Sequence, residues 1–195
     1  FDRALGSTDG RDANPRVWRS QVGDLGTDFF NYPWWGKMFT DPDFWQKWID
    51  RWQELRIDRF SLTNLNAVID GLCNQVRSSQ PRELAKWGVQ PRGGSYQGEI
   101  NYTKNWLAAR VNFMDTNFLA KPVLSSNGGP IAAGFTLTIS GPAAATIYYT
   151  LDGTDPRLPG GALSSRAAAY SGPVVLSNNA RVVARARNLS HANLT

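Results

Sequence analysis

The tryptophans of this chain are confined to its first half, and this asymmetry constrains the fold more than any other feature. All eight lie between residues 18 and 106. From residue 121 onward the chain holds six Lys or Arg and two Asp, and it is rich in Ala, Gly, Ser and Val. A single core rarely accommodates such a shift in composition. We therefore predict two domains in the 195 residues, 1–121 and 122–195.

Helical periodicity dominates the first domain. Thr40, Asp41 and Pro42 predict a helix start, because an oxygen-bearing side chain caps the helix and Pro fits its first turn. The apolar residues that follow recur at helical spacing: Phe44, Trp45, Trp48, Ile49, Trp52 and Leu55. We expect the polar residues between them, including Gln46 and Asp50, to lie on the solvent side.

Three further helical segments are predicted before residue 121. Ser61 caps the first, which runs on to Val76, and Pro81 opens a shorter second one. Ser95 caps the third, after a loop at 89–94 that two Gly and one Pro indicate. The segment before Thr40 lacks periodicity and is predicted to be loop-rich, and long loops often carry function.

The second domain has the alternation of β-strands. Phe135–Ser140 places Phe, Leu and Ile on one face and Thr and Ser on the other. A strand at 146–151 precedes the turn sequence Asp152–Pro156, and two more strands are expected at 173–176 and 180–187. Short strands with regular turns predict a small β-sandwich.

Composition excludes several functional classes. One Cys (Cys73) excludes an internal disulfide and a Cys-based zinc site, and one His (His191) argues against a Ser-His-Asp mechanism. No run of 18 apolar residues is present, so no membrane span is predicted. The sequence pI of 9.6 permits nucleic-acid binding, but no motif for it is present and we do not expect it. Since the chain begins with Phe1, we expect that residue 1 is not the start of the gene product.

The opening segment is the first candidate site. Asp2, Asp9 and Asp12 supply the hard oxygen ligands that Mg²⁺ prefers. The alternative is a solvated loop whose Asp residues form Asx turns and pair with Arg3 and Arg11.

Aromatic residues form the second candidate, as a stacking platform for sugars or bases or, in the alternative that we favour, as packing. They are Phe29, Phe30, Tyr32, Trp34 and Trp35. Adjacent residues of a helix or strand do not share a face. We therefore assign Trp34 and Trp35 to packing, together with Trp45, Trp48 and Trp52.

Two candidates lie in the second domain. Asp152 and Asp155 offer carboxylates for Ca²⁺, but two are few, and a turn held by Asx hydrogen bonds is the favoured alternative. Arg181, Arg185 and Arg187 form either an anion patch or the polar face of a half-buried strand.

The first half resembles the spore-coat CotH kinase family over residues 1–118. The residues that carry the resemblance are Phe1-Asp2-Arg3-Ala4-Leu5-Gly6-Ser7, Asp28-Phe29-Phe30, Trp34-Trp35, Phe39–Phe44 and Asp50–Arg56, with Arg82, Trp87, Glu99, Lys104, Trp106, Leu107 and Arg110. The second half resembles the chitobiase/β-hexosaminidase C-terminal domain, an immunoglobulin-like sandwich. That resemblance rests on Ile147–Arg157, Tyr170–Pro173 and Ala184–Arg187.

These resemblances imply an α + β protein: a kinase-C-lobe-like helical domain followed by a small immunoglobulin-like β-sandwich. Asp2 matches the family's metal-binding Asp, which functions like the Asp of the DFG motif. The resemblance implies Mg²⁺ and ATP as cofactors only if the nucleotide-binding lobe is present, and no cofactor otherwise. No catalytic residue is assigned within this chain, since the phosphate-covering Gly loop and the paired Lys and Glu have no match in it. We therefore expect a fragment that is inactive by itself.

The resemblances also bear on location and partners. Large secreted bacterial proteins join modules of these two kinds, which implies a secreted or cell-surface location. The alternative hypotheses are a non-catalytic structural or interaction subunit with protein partners, and a carbohydrate-associated accessory module.

Overall fold

A computed structural model describes residues 13–18 and 33–188. Five α-helices come first in these ranges and seven short strands follow. The helices are α1 (Trp35–Met38), α2 (Pro42–Ile57), α3 (Leu62–Val76), α4 (Gln80–Trp87) and α5 (Tyr96–Asn117). This order confirms the predicted α + β class, with a mainly helical part preceding a β part.

The chain divides into two compact units by its internal contacts. Of the described residues, the first unit holds 13–18, 33–36 and 51–114, and the second holds 37–50 and 115–188. The division falls inside α2, between Asp50 and Arg51. The predicted domain bounds, 1–121 and 122–195, stay predictions.

Predicted caps begin the helices. Asp41 Oδ1 accepts the backbone N–H of Asp43 at 2.8 Å, at the start of α2. The backbone N–H of Asn64 donates to Ser61 Oγ at 3.2 Å and begins α3. Ser95 Oγ does the same for the first turn of α5, where it accepts from Gly98. Each side chain thus satisfies a backbone donor that has no partner within its helix, as the sequence predicted.

Helix α5 contacts α3 in the first unit. Ile100 and Val111 of α5 are buried, at 3% and 4% exposure. Tyr96 donates its hydroxyl to the backbone carbonyl of Cys73 in α3 at 2.6 Å, and Lys104 forms an ion pair with Asp70 of α3 at 2.6 Å. These contacts join α3 to α5 along one side.

Seven strands build three small antiparallel sheets in the second unit. They are β1 (Val123–Leu124), β2 (Phe135–Leu137), β3 (Ile139–Ser140), β4 (Thr146–Thr150), β5 (Ala168–Ala169), β6 (Val174–Leu176) and β7 (Val183–Arg187). β1 pairs with β3, β2 pairs with β6, and β4 lies between β5 and β7. Residues from all three sheets contribute to or pack against one core of Leu137, Ile139 and Leu176, so the three sheets share a single core.

One predicted strand is divided in the structure. We expected 135–140 to be continuous, but β2 and β3 pair with different partners, β6 and β1. Thr138 lies between them and exchanges hydrogen bonds with Ser125. The predicted inward face is nevertheless confirmed, with Leu137 at 2% and Ile139 at 4% exposure. Periodicity predicts which face of a strand is buried. The strand with which each half pairs depends instead on where β1 and β6 lie in the folded chain.

An aromatic cluster lies along one side of the first half of α2. Trp45 and Trp48 make an edge contact at 5.2 Å between ring centroids, and Phe39 contacts both. Trp48 also contacts Phe118, which is 5% exposed. The packing roles predicted for Trp45 and Trp48 are confirmed, and Trp52 likewise packs near Phe60, at 5.6 Å.

Candidate functional site

The residues with the strongest predicted chemistry lie outside the described ranges. They are Asp2 with the rest of the acidic opening, and Phe29, Phe30 and Tyr32 of the aromatic set. The metal-binding and stacking hypotheses for these residues stay predictions.

Trp34 does not take the packing role that the sequence predicted. Its ring stacks on Trp35 with 4.3 Å between centroids and 24° between planes, and 60% of the residue is exposed. The expectation assumed that both residues lie on one regular element. Trp34 instead lies in a turn just before α1, and this permits two adjacent rings to stack.

The Asp152–Pro156 loop is a turn held by its own side chains. Asp152 Oδ1 accepts from the backbone N–H and the hydroxyl of Thr154, at 3.0 and 2.6 Å. Asp155 Oδ1 accepts the backbone N–H of Arg157 at 2.8 Å. Arg166 also pairs with Asp152, at 3.0 Å. The Asx-turn interpretation is thus confirmed, and both carboxylates are already engaged by protein donors.

Arg185 of β7 holds two carboxylates at once. It donates to both oxygens of Asp50 in α2, at 2.9 and 2.8 Å, and to both oxygens of Asp155, at 2.7 Å each. Its side chain is 27% exposed. A planar guanidinium suits such paired contacts, which are stronger than neutral hydrogen bonds. Arg185 is therefore a structural ion-pair residue and does not serve as a free anion site.

A second arginine, Arg157, binds α2 near its first turn, seven residues before Asp50. Arg157 pairs with Asp43 at 2.6 Å, and its side chain is only 14% exposed. The backbone N–H of Gly160 donates to both carboxylate oxygens of Asp43, at 3.0 Å each. Gly160 has φ +78°, a conformation that favours glycine, in a turn that presents this N–H to the helix.

Spacing explains why both contacts lie on one side of α2. Asp43 and Asp50 are seven residues apart, which is two helical turns, so they share a face. We call the set Asp43, Asp50, Asp155, Arg157 and Arg185 the arginine seam. Its acids come from α2 and the turn after β4, and its arginines come from that turn and β7.

Gln46 lies on the same face of α2 and corrects the predicted solvent side of the helix. It is 7% exposed, and its Nε2 donates to Asp50 Oδ1 at 2.7 Å. Periodicity places Gln46 opposite the tryptophans but does not reveal that the β segment covers this side as well. Among the described residues, Gln46 Oε1 and Arg157 Nε are buried polar atoms without a hydrogen-bond partner.

Hydrogen bonding shifts the pKa values of Asp43, Asp155 and Arg185. The Gly160 N–H and then the Arg157 side chain lower the pKa of Asp43. Burial raises the pKa of Asp155, but bonds from Arg185 and from the Arg157 N–H outweigh it, so the net pKa is lowered. The bond to Asp50 raises the pKa of Arg185, against the effect of burial and with the help of Asp155. All these shifts favour the charged forms.

Polar residues of the CotH-like pattern also form an ion pair and a hydrogen bond in the first unit. Arg92 donates from its backbone N–H and its Nε to Glu99, at 2.6 and 2.8 Å, and lies over the Tyr102 ring at 4.0 Å. Arg110 donates to the carbonyl of Val17 at 2.6 Å. In this structure Glu99 and Arg110 therefore hold chain segments together.

The described ranges contain no cluster of three or more His, Cys, Asp or Glu residues that could hold a metal ion. A hypothesis for Mg²⁺ consequently depends on Asp2 and its neighbours. No helix within these ranges has the length and apolarity that crossing a membrane requires.

Comparison with known families accounts for both halves. A model of the CotH kinase protein family matches residues 1–114, which is more than half of the chain, so the chain belongs to this family. A model described as Fn3 associated matches residues 135–193. Neither the curated proteins nor the solved structures yielded a match.

The arginine seam predicts a pH-dependent stability. The pKa of Asp155 is lower in the folded chain than in the unfolded chain, so its contribution is complete above the ordinary value of about 4 and is lost as the pH falls through the lowered value. We expect Asp155→Asn to reduce the free energy of unfolding at neutral pH, and this reduction to disappear in acid. Urea unfolding of both proteins across this range measures the effect.

The exposed Asp58 provides a control for this measurement. Asp58→Asn is expected to leave the pH profile close to that of the unmodified protein. A stability difference for Asp155→Asn that stays constant down to the lowest pH would contradict the assignment.

Proposed function

We propose that the protein takes part in phosphoryl transfer of the CotH kinase type, with Asp2 as a ligand to Mg²⁺. The observation that carries this proposal is the family match over residues 1–114, which includes the Phe1-Asp2-Arg3 motif. Phosphoryl transfer requires a carboxylate that holds Mg²⁺ against the nucleotide phosphates. The proposal assigns this chain one metal ligand and leaves the other catalytic groups unassigned.

Asp2→Asn tests the metal role directly. Both measurements use the complete gene product. We expect the variant to lose Mg²⁺-dependent ATP binding in titration calorimetry and to lose phosphoryl transfer, since the amide cannot replace the charge of the carboxylate. Asp58→Asn, at an exposed position outside the opening segment, is the control and should retain both. Equal ATP binding by the Asp2 variant and the unmodified protein would refute the assignment.

We propose further that the protein acts at the bacterial surface or after secretion. Support comes from the combination of a CotH segment with an Fn3-associated segment, which together resemble large secreted bacterial proteins. Under this proposal the β segment is of the chitobiase/β-hexosaminidase C-terminal type, an immunoglobulin-like sandwich.

A non-catalytic interaction role is the second candidate, and α3 favours it. Val68, Leu72 and Val76 recur every four residues on one face of this helix and are 51%, 58% and 52% exposed. A contiguous exposed apolar stripe is typical of a protein contact surface.

Site-specific crosslinking tests this second candidate. A benzoylphenylalanine at position 72, introduced in the producing organism, should crosslink to a defined protein partner that mass spectrometry identifies. The same probe at Gln75, an exposed polar position on α3, is the control. Equal crosslinking from both positions would count against a specific surface.

A carbohydrate-associated role remains the third candidate, and the exposed Trp34 supports it. An indole face is a stacking surface for a sugar ring, and Trp35 supports the Trp34 ring from behind. We expect Trp34→Ala to abolish the quenching of tryptophan fluorescence by soluble chitin or cellulose oligosaccharides. Trp87→Ala is the matched control, since Trp87 is 62% exposed but has Lys86 over its ring. If the unmodified protein shows no quenching, this candidate is wrong.

A further inference from the structure

Residues from both matched families meet inside one compact unit. Residues 37–50 belong to the CotH-matched segment, yet they group with 115–188 among the described residues. Arg157 and Arg185, which bind this part of α2, belong to the Fn3-associated match.

The chemistry of this contact is complementary. The α2 face presents two carboxylates two turns apart, and the β segment presents one arginine to each of them. Gln46, which lies between the two acids, is 7% exposed, so this face is covered at its centre. Arg157 is almost fully enclosed, so removal of its partner Asp43 would leave a poorly hydrated charge.

We propose that the Fn3-associated segment is an intramolecular receptor for the acidic face of α2, so that residues 42–50 stay helical only while the arginine seam holds them. Residues 42–50 are the first nine residues of the 16-residue α2, and most of the stability of a helix in a folded protein comes from tertiary packing. The aromatic cluster covers one side of this stretch, and the seam covers the other. The β segment is therefore a folding partner of the CotH segment and does not act as a detachable spacer.

Hydrogen exchange measured by mass spectrometry on the whole chain tests the proposal. The informative amides are those of residues 45–50, which are hydrogen-bonded within α2, since the N–H of Trp45 already donates to the carbonyl of Asp41. In the Asp43→Asn/Asp50→Asn variant we expect them to exchange at least about tenfold faster than in the unmodified protein, because each charge-assisted contact opposes opening. Amides of α3 should not change.

Asp152→Asn is the matched control. Asp152 pairs with Arg166 at 3.0 Å, also in the β segment, but this pair does not involve α2. Residues 45–50 should exchange at the same rate in this variant as in the unmodified protein. The reciprocal variant Arg157→Met/Arg185→Met should accelerate exchange at 45–50 while the β2 and β6 amides remain protected.

Two results would overturn the proposal. One is unchanged exchange at 45–50 in the double Asp variant, which would mean that the aromatic cluster alone holds the helix. The other is equal acceleration by the Asp152 control, which would mean that any loss of charge loosens the β segment. If the double variant loses protection along the entire chain, the single variant Asp50→Asn decides by the same criteria.

Discussion

Arg185 binds two aspartates from separate parts of the chain, and the second unit depends on this contact. One of them, Asp50, is 135 residues away in sequence, and the other, Asp155, closes the turn after β4. A guanidinium that donates to four carboxylate oxygens fixes both groups in position and direction. Without Arg185, the two carboxylates that it now binds would lie near each other with no cation between them, which like-charge repulsion disfavours.

The arginine seam also links the small β segment to the first half of α2. Its strands are two to five residues long, and its fully covered core consists of a few side chains around Leu137. So small a core provides limited stability by itself. The first half of α2 belongs to the same unit and contributes Ile49, at 2% exposure, and Trp48, whose ring contacts Phe118.

Membership of the CotH kinase protein family bears on the proposed chemistry, whereas the ion pairs of the described residues bear on the stability of the fold. The family match identifies the segment that carries Asp2, on which the proposed metal chemistry rests. The described carboxylates of the seam are instead bound by arginines, and so is Glu99. An ion-paired carboxylate has little remaining capacity to bind a metal, so these residues have a structural role.

The sequence by itself determined the elements and their local chemistry. Capping by Ser61, the Asx turn at Asp152 and the inward face at Leu137 follow from side chains that act within a few residues of their own backbone. Only the tertiary structure decided that Gln46 is buried and that Arg185 reaches α2. The physical reason is that periodicity reports where apolar side chains recur, whereas a polar helix face is buried only when a distant segment brings matching charges to it.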